Sequence, residues 1–221
     1  MRPIEHSIAE MECGVVLHEW VNDSYKHLIA DAPASALLAN PGQFFHILCP
    51  SDNADSPFLR RPMSVYRVDR AAARIEFLYK VAGAGTRTLS VLQTGDALNV
   101  FGPLGHGFTP EDGTRHAVIV ARGVGLSTLA PLVEAVVADG IAATAILSAR
   151  SAAYVMSQDY LQSVGARVKT VTDEEGTSDV DKVENMVRRL IADDGADFIA
   201  TCGSNRLLFM LQRVCAEIGI S

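Results

Sequence analysis

Long hydrophobic runs are missing from this 221-residue sequence. The longest purely apolar stretches, such as 117–121 and 129–133, fall far short of the ~20 residues that cross a bilayer, so no membrane association is expected. Excess positive charge is missing too. With 19 Lys+Arg against 26 Asp+Glu the net charge is -7, the reverse of the basic surface that displaces counterions from nucleic acid. Any phosphate recognition must therefore be local. Cysteine is sparse: Cys13, Cys49, Cys202 and Cys215 form no CxxC pair and match neither zinc-finger nor ferredoxin spacing. No metal site is expected among the residues present, and reduced buried thiols are the plain reading. Low-complexity tracts and fixed-period repeats are absent, which leaves a folded globular chain. The N-terminal residues Arg2, Glu5, His6, Glu10 and Glu12 interrupt any apolar core of a secretory signal, so a cytoplasmic location is expected.

What is present comes in two periods. Short apolar runs at 15–20, 26–30, 44–49, 63–68, 75–81 and 97–101 are separated by turn-forming segments at 40–42, 51–57, 69–73 and 94–96. They predict six short antiparallel strands and a small barrel over residues 1–112. Beyond it, apolar runs at 117–121, 143–148, 167–172 and 198–202 alternate with helical patterns at 127–139, 157–164, 181–192 and 205–218. That alternation predicts a parallel-sheet α/β domain over residues 113–221, with Ser127 and Asp181 suited to cap helix N-termini. The fold class is thus β followed by α/β. Charge does not separate the halves, which hold 9 basic and 13 acidic residues before position 113 and 10 and 13 from there on.

Several segments have the composition of ligand-binding turns. Gly123-Val124-Gly125-Leu126-Ser127 leaves the run at 117–121 and opens a helix, where backbone amides and a helix N-terminus favour a diphosphate without a basic side chain. A Gly-x-Gly at such a turn also serves tight packing alone. Arg150 and Ser151 follow the second run, at the strand end where an α/β sheet presents ligands; they suit an adenosine ribose or its phosphate, or an ordinary surface. Cys202 and Gly203 follow the last run, where the thiol suits either a ligand edge or a structural interior. In the first half, Arg61-Pro62-Met63-Ser64 starts a strand with a guanidinium, a rigid residue and a hydroxyl together. Leu78-Tyr79-Lys80 then leads through glycines to Gly85-Thr86 and a short helix at 86–92. Two such turn systems in one chain suggest two nucleotide-like ligands.

Read in order, Pro41-Gly42-Gln43-Phe44, Arg61 to Ser64, Tyr79-Lys80 to Gly85-Thr86, Gly102-Pro103-Leu104-Gly105-His106-Gly107-Phe108, Gly123-Val124-Gly125 and Cys202-Gly203 resemble the ferredoxin reductase superfamily. Within it the likeness is nearest to the electron-transfer subunits of bacterial class B dihydroorotate dehydrogenases, and it covers nearly the whole chain. The resemblance implies an FAD-binding barrel and an NAD(P)-binding α/β domain, with hydride passing between flavin and nicotinamide. By that carry-over Arg61 holds the FAD diphosphate and Ser64 bonds near the reactive flavin nitrogen. Pro62 and Met63 complete that strand, Leu78, Tyr79 and Lys80 line the flavin, and Gly85 and Thr86 cradle its phosphates. Gly123, Val124, Gly125, Leu126 and Ser127 receive the dinucleotide diphosphate, Arg150 and Ser151 border its adenosine ribose, and Cys202 and Gly203 sit beside the nicotinamide. Ser64 and Cys202 are the residues nearest the chemistry.

The sequence departs from the family pattern at Arg122, where glycine or threonine usually stands, and at Thr128 and Ser204, where proline is usual. Leu207 takes the place of a common methionine, the nearest being Met210. The subunits it resembles carry a cysteine-rich segment for a 2Fe-2S cluster after the last helix, so such a cluster would belong to a longer native chain, not to the residues present. The leading expectation is an FAD-dependent subunit moving electrons between NAD(P)H and a protein redox partner, as part of a hetero-oligomer. A non-catalytic flavin- or dinucleotide-binding regulatory module and a stand-alone ferredoxin-NADP reductase are the alternatives. No Ser/His/Asp order and no HExxH offers organic-substrate chemistry, and His106 suits loop stabilisation.

Overall fold

The computed structural model describes residues 8–51 and 55–220. Arg2, Glu5 and His6 of the N-terminal reading, Asp52, Asn53 and Ala54 of the 51–57 turn, and Ser221 lie outside them. The chain divides into two compact units between Gly107 and Phe108.

The first unit is one antiparallel sheet of seven strands. They are β1 (Ala9–Trp20), β2 (Tyr25–Asp31), β3 (Phe44–Ile47), β4 (Arg61–Ser64), β5 (Arg67–Asp69), β6 (Arg74–Lys80) and β7 (Ala97–Leu104), in the order β4-β3-β7-β1-β2-β6-β5. The two ends of that order, β4 and β5, are joined in sequence by only Val65 and Tyr66. The Val65 N–H donates to the Gln43 carbonyl at 3.0 Å and the Tyr66 N–H to the Glu76 carbonyl on β6 at 2.8 Å. The linker thus stitches one sheet edge to the other, and the sheet curls on itself. The apolar run at 63–68, expected as one strand, is therefore two, because the main chain changes partners in mid-run while the side-chain pattern continues.

Period-two alternation orients these strands. On β1, Met11, Cys13 and Val15 face inward while Glu10, Glu12 and Gly14 face solvent. The first half of β1 pairs with β7 and the second with β2, with an irregularity between Val15 and Leu17. Leu28, Phe45, Ile47, Ile75, Phe77, Tyr79 and Leu98 fill the interior, joined by Leu89 of the short helix α1 (Ala84–Leu89). Each such side chain contributes roughly 1.5–3 kcal/mol by leaving water.

The second unit is a four-stranded parallel sheet with helices between its strands. The strands are β8 (His116–Arg122), β9 (Ala142–Ala149), β10 (Arg167–Thr172) and β11 (Phe198–Cys202), in the order β10-β9-β8-β11. The helices are α2 (Leu126–Ala138), α3 (Gln158–Ser163), α4 (Val180–Asp194) and α5 (Asn205–Ile218). The bounds of β10, β11 and α5 match the sequence expectation. Two expected caps do not form, because their helices start earlier. Ser127 is the second residue of α2 and its hydroxyl donates to the Val124 carbonyl at 2.8 Å. Asp181 lies in the first turn of α4, behind Asp179. Ser204, by contrast, accepts from the Leu207 N–H and caps α5, which gives this departure from proline a physical role. Leu207 and Met210 are both buried in the core of this unit.

Candidate functional site

In the first unit, three of the sequence-selected segments stand on neighbouring elements. Arg61 opens β4, Leu78, Tyr79 and Lys80 end β6, and Gly85 and Thr86 lie in α1. A Cβ placed on Gly85 would fall 2.6 Å from Nε of Arg61, so the arginine side chain lies against the glycine in the space a methyl would take. Arg61 also donates to the Leu59 carbonyl at 2.5 Å. Thr86 fixes the turn before it: its hydroxyl oxygen accepts the N–H of Ala82 at 2.9 Å and of Gly83 at 3.1 Å.

The alternation of β6 decides what each residue there can offer. Tyr79 points into the interior with 2% of its surface exposed, so it presents only its main chain outward, whereas Leu78 and Lys80 share the other face. Ser64, Pro62 and Met63 lie along β4, with Pro62 exposed and Met63 packed against the interior. On the face shared with Leu78 lies a cluster that sequence reasoning missed. Glu76 is buried between His27, at 2.8 Å, and Arg67, at 3.6 Å, and the Tyr66 ring meets His27 edge-on at 5.4 Å. The cluster spans three strands, so no local motif announces it.

In the second unit the candidate residues gather at the carboxyl edge of the sheet. Strand order reverses there between β8 and β11, the switch point at which open α/β sheets bind ligands. Gly123, Val124 and Gly125 form a tight turn after β8, and Leu126 and Ser127, both buried, begin α2. A Cβ on Gly125 would stand 2.3 Å from the Cys202 carbonyl oxygen, and one on Gly203, at φ +100°, would stand 2.0 Å from that of Arg122. The turns after β8 and β11 are therefore in main-chain contact, which brings Cys202 and Gly203 to the glycine turn. Beyond β9, the Arg150 guanidinium stacks 4.0 Å from the centre of the Tyr154 ring, and Ser151 opens the turn that carries that tyrosine.

Arg122 and Asp173 are the second set that sequence reasoning missed as a pair. Arg122, the last residue of β8, donates from Nη1 to the Ser148 hydroxyl at 2.7 Å and binds Asp173 bidentately at 3.1 and 2.6 Å. The guanidinium and the Ser178 hydroxyl hold the Asp173 carboxyl below its usual range. Nothing local links positions 122 and 173; only the parallel register does.

Burial pushes Cys13 up to about 11, and it also raises Cys49 and Cys215. Among the described residues no three His, Cys, Asp or Glu side chains converge as metal ligands, so the cysteines present do not fit an iron–sulfur cluster. No described helix is long and apolar enough to cross a membrane.

A curled antiparallel sheet and a parallel nucleotide-type sheet in one chain define the ferredoxin reductase-like fold of flavin-dependent oxidoreductases. A solved NADH-dependent reduced ferredoxin-NADP oxidoreductase, described for flavin-based electron bifurcation, superposes with a TM-score of 0.77 at 22% identity, over 94% of this chain and 73% of that one. No protein-family model matches the chain. The electron transfer subunit of dihydroorotate dehydrogenase B (NAD(+)) from Desulforamulus reducens is 32% identical over 191 residues, 86% of this chain and 72% of that protein. Its counterpart from Bacillus cereus strain Q1 is 34% identical over 177 residues, 78% of this chain and 65% of that protein. The chain belongs to this family of electron-transfer subunits, and it spans about two thirds to three quarters of the length of these relatives. Family membership implies FAD and NAD(P) as cofactors.

Proposed function

We propose that this chain carries FAD on its first unit and binds NAD(P)H on its second, passing reducing equivalents between the dinucleotide and a partner dehydrogenase or electron carrier. The observation that supports this reading best is the apposition of Arg61 and Gly85, 2.6 Å from Nε to a Cβ position, because a guanidinium beside a glycine at the start of a helix suits a diphosphate. When bound, FAD would supply the hydride and electron chemistry, which these residues would only hold and orient.

The family likeness and the placement of the residues support the following roles. Arg61 grips the FAD diphosphate, with the main-chain amides of Gly85 and Thr86 beside it. Pro62 and Met63 hold β4 extended so that the Ser64 hydroxyl meets a flavin ring nitrogen. Leu78 and Lys80 line the flavin with their side chains, and Tyr79 does so through its backbone. Gly123, Val124 and Gly125 turn toward the dinucleotide diphosphate, and Leu126 and Ser127 start the helix whose N-terminus faces it. Arg150 and Ser151 border the adenosine ribose or its 2'-phosphate, and Cys202 with Gly203 forms the floor beside the nicotinamide. No general acid or base is needed. The partner supplies the organic substrate site, so a cytoplasmic hetero-oligomer is the working assembly.

The test is acceptor reduction. Protein loaded with FAD and given NADH should reduce ferricyanide, and Arg61→Ala should lose FAD. Protein that retains no FAD after reconstitution contradicts the reading. Comparison of NADH with NADPH in the same assay assigns Arg150 and Ser151 to a ribose or to a 2'-phosphate.

A further inference from the structure

We propose that Arg122 is a further dinucleotide ligand, a guanidinium that binds the adenosine-side phosphate, and that Asp173 is its positioning residue. The inference rests on the reading of Gly123 to Gly125 as a diphosphate turn. That turn and the start of α2 contain no lysine or arginine from 123 to 131, so their own attraction for an anion is main-chain only.

Arg122 does not extend into solvent. Parallel register sets it directly beside Ser148 on β9, and its Nη1 reaches that hydroxyl at 2.7 Å before the fork closes on Asp173, just past the end of β10. The guanidinium thus reaches from β8 toward β9, the strand that leads to Arg150 and Ser151. A dinucleotide running from the turn to those residues crosses it.

Its donors are only partly used. A guanidinium has five N–H groups. Three of Arg122's are engaged by Ser148 and the two Asp173 oxygens, and among the described residues Nε–H and one Nη2–H have no protein acceptor. They belong to a side chain that keeps 23% of its surface exposed, which leaves two donors for an incoming phosphate oxygen. The aim is fixed from the far side. Asp173 is held by the Ser178 hydroxyl and by its own N–H, which donates to the Ala149 carbonyl at 3.1 Å, and the next N–H, of Glu174, donates to the Arg150 carbonyl. The same loop therefore positions both Arg122 and Arg150.

Calorimetric titration of the FAD-loaded protein with NADH, ADP and nicotinamide mononucleotide tests this. Arg122→Ala should weaken NADH and ADP roughly tenfold or more, the size expected for a charge-assisted hydrogen-bonded contact, and leave nicotinamide mononucleotide unchanged. Arg122→Lys should fall between, since an ammonium keeps the charge but loses the fork. Asp173→Asn keeps an acceptor for the fork while removing the competing charge, so it should bind ADP more tightly than wild type and with steeper salt dependence. A purely structural bridge predicts weaker binding for that variant. Thermal unfolding of each variant shows whether it is folded, and Arg122→Gln substitutes where the alanine variant is not. Wild-type affinity for ADP in Arg122→Ala, or tighter binding, overturns the proposal while leaving the dinucleotide reading intact. Wild-type protein that binds neither NADH nor ADP overturns that reading, and the proposal with it.

Discussion

His18 and Tyr79 share a hydrogen bond of 2.8 Å between the imidazole Nε2 and the phenol oxygen, linking β1 to β6 in the first unit. The other ring nitrogen, Nδ1, lies 2.9 Å from the Leu92 carbonyl, which can only accept. Nδ1 therefore carries the proton, Nε2 is the acceptor, and Tyr79 donates. The pair anchors the inward side of the strand that presents Leu78 and Lys80 on its other face.

Tyr79→Phe removes that donor and leaves a half-buried imidazole nitrogen without this partner. A loss of about 1–3 kcal/mol is expected. Thermal unfolding measures it, and an unchanged Tm would show that the hydrogen bond contributes nothing.

Burial, opposed by the Leu92 carbonyl and aided by Lys26 and His27, lowers the His18 pKa below its ordinary value. The unfolded chain then binds the proton more readily than the folded one. Stability from this group is present above the unfolded value, ~6.5, and falls as the pH drops below it. His18→Gln should flatten stability against pH between about 7 and 5 relative to wild type. Parallel curves for the two proteins would contradict the assignment.

Asp197 is also shifted downward, but by groups that favour its charged form, with the same sign of consequence. Burial raises its pKa, but the N–H groups of His116 and Arg115 and the Arg115 guanidinium outweigh it, and the carboxyl ends below its usual range. Its stabilising effect is present above the unfolded value of ~3.9 and is lost as the pH falls through the folded one. Since Asp197 joins the start of β8 to the start of β11, Asp197→Asn should weaken the second unit at neutral pH and leave a shallower acid transition. Acid titration followed by circular dichroism reads both effects.

Glycine substitutions separate the two turn systems. At Gly85 a methyl meets the flexible end of Arg61, so Gly85→Ala should fold and lose FAD affinity. At Gly125 the methyl meets the main chain of Cys202 and Gly203, which cannot move aside, so Gly125→Ala should destabilise by roughly 1–3 kcal/mol. FAD retention and Tm on both variants distinguish the cases, and a Gly125→Ala protein as stable as wild type would contradict the contact.

The difference between legible and illegible features is one of range. β10, β11 and α5 are legible because an apolar run of the right period starts and stops at clear breakers. The first half of β1 was hidden by its charges, although Met11 and Cys13 alternate with Glu10 and Glu12 as an edge of buried side chains requires. The division of 63–68 turns on main-chain partners, which side-chain patterning does not encode. The turns at Gly123 and Gly203 were legible as turns because each needs a positive φ that glycine adopts freely. Arg122 with Asp173, Glu76 with His27 and Arg67, and Tyr154 beneath Arg150 were not, because each depends on register or on the path of a turn.

The central claim is that this chain takes electrons from NAD(P)H into a bound flavin. The measurement that tests it most directly is the visible spectrum of the FAD-reconstituted protein under anaerobic conditions, before and after NADH and then NADPH. The account predicts a flavin absorbance that bleaches on addition of one of these coenzymes. Bound flavin that stays oxidised with both would contradict it and leave a binding module without hydride exchange.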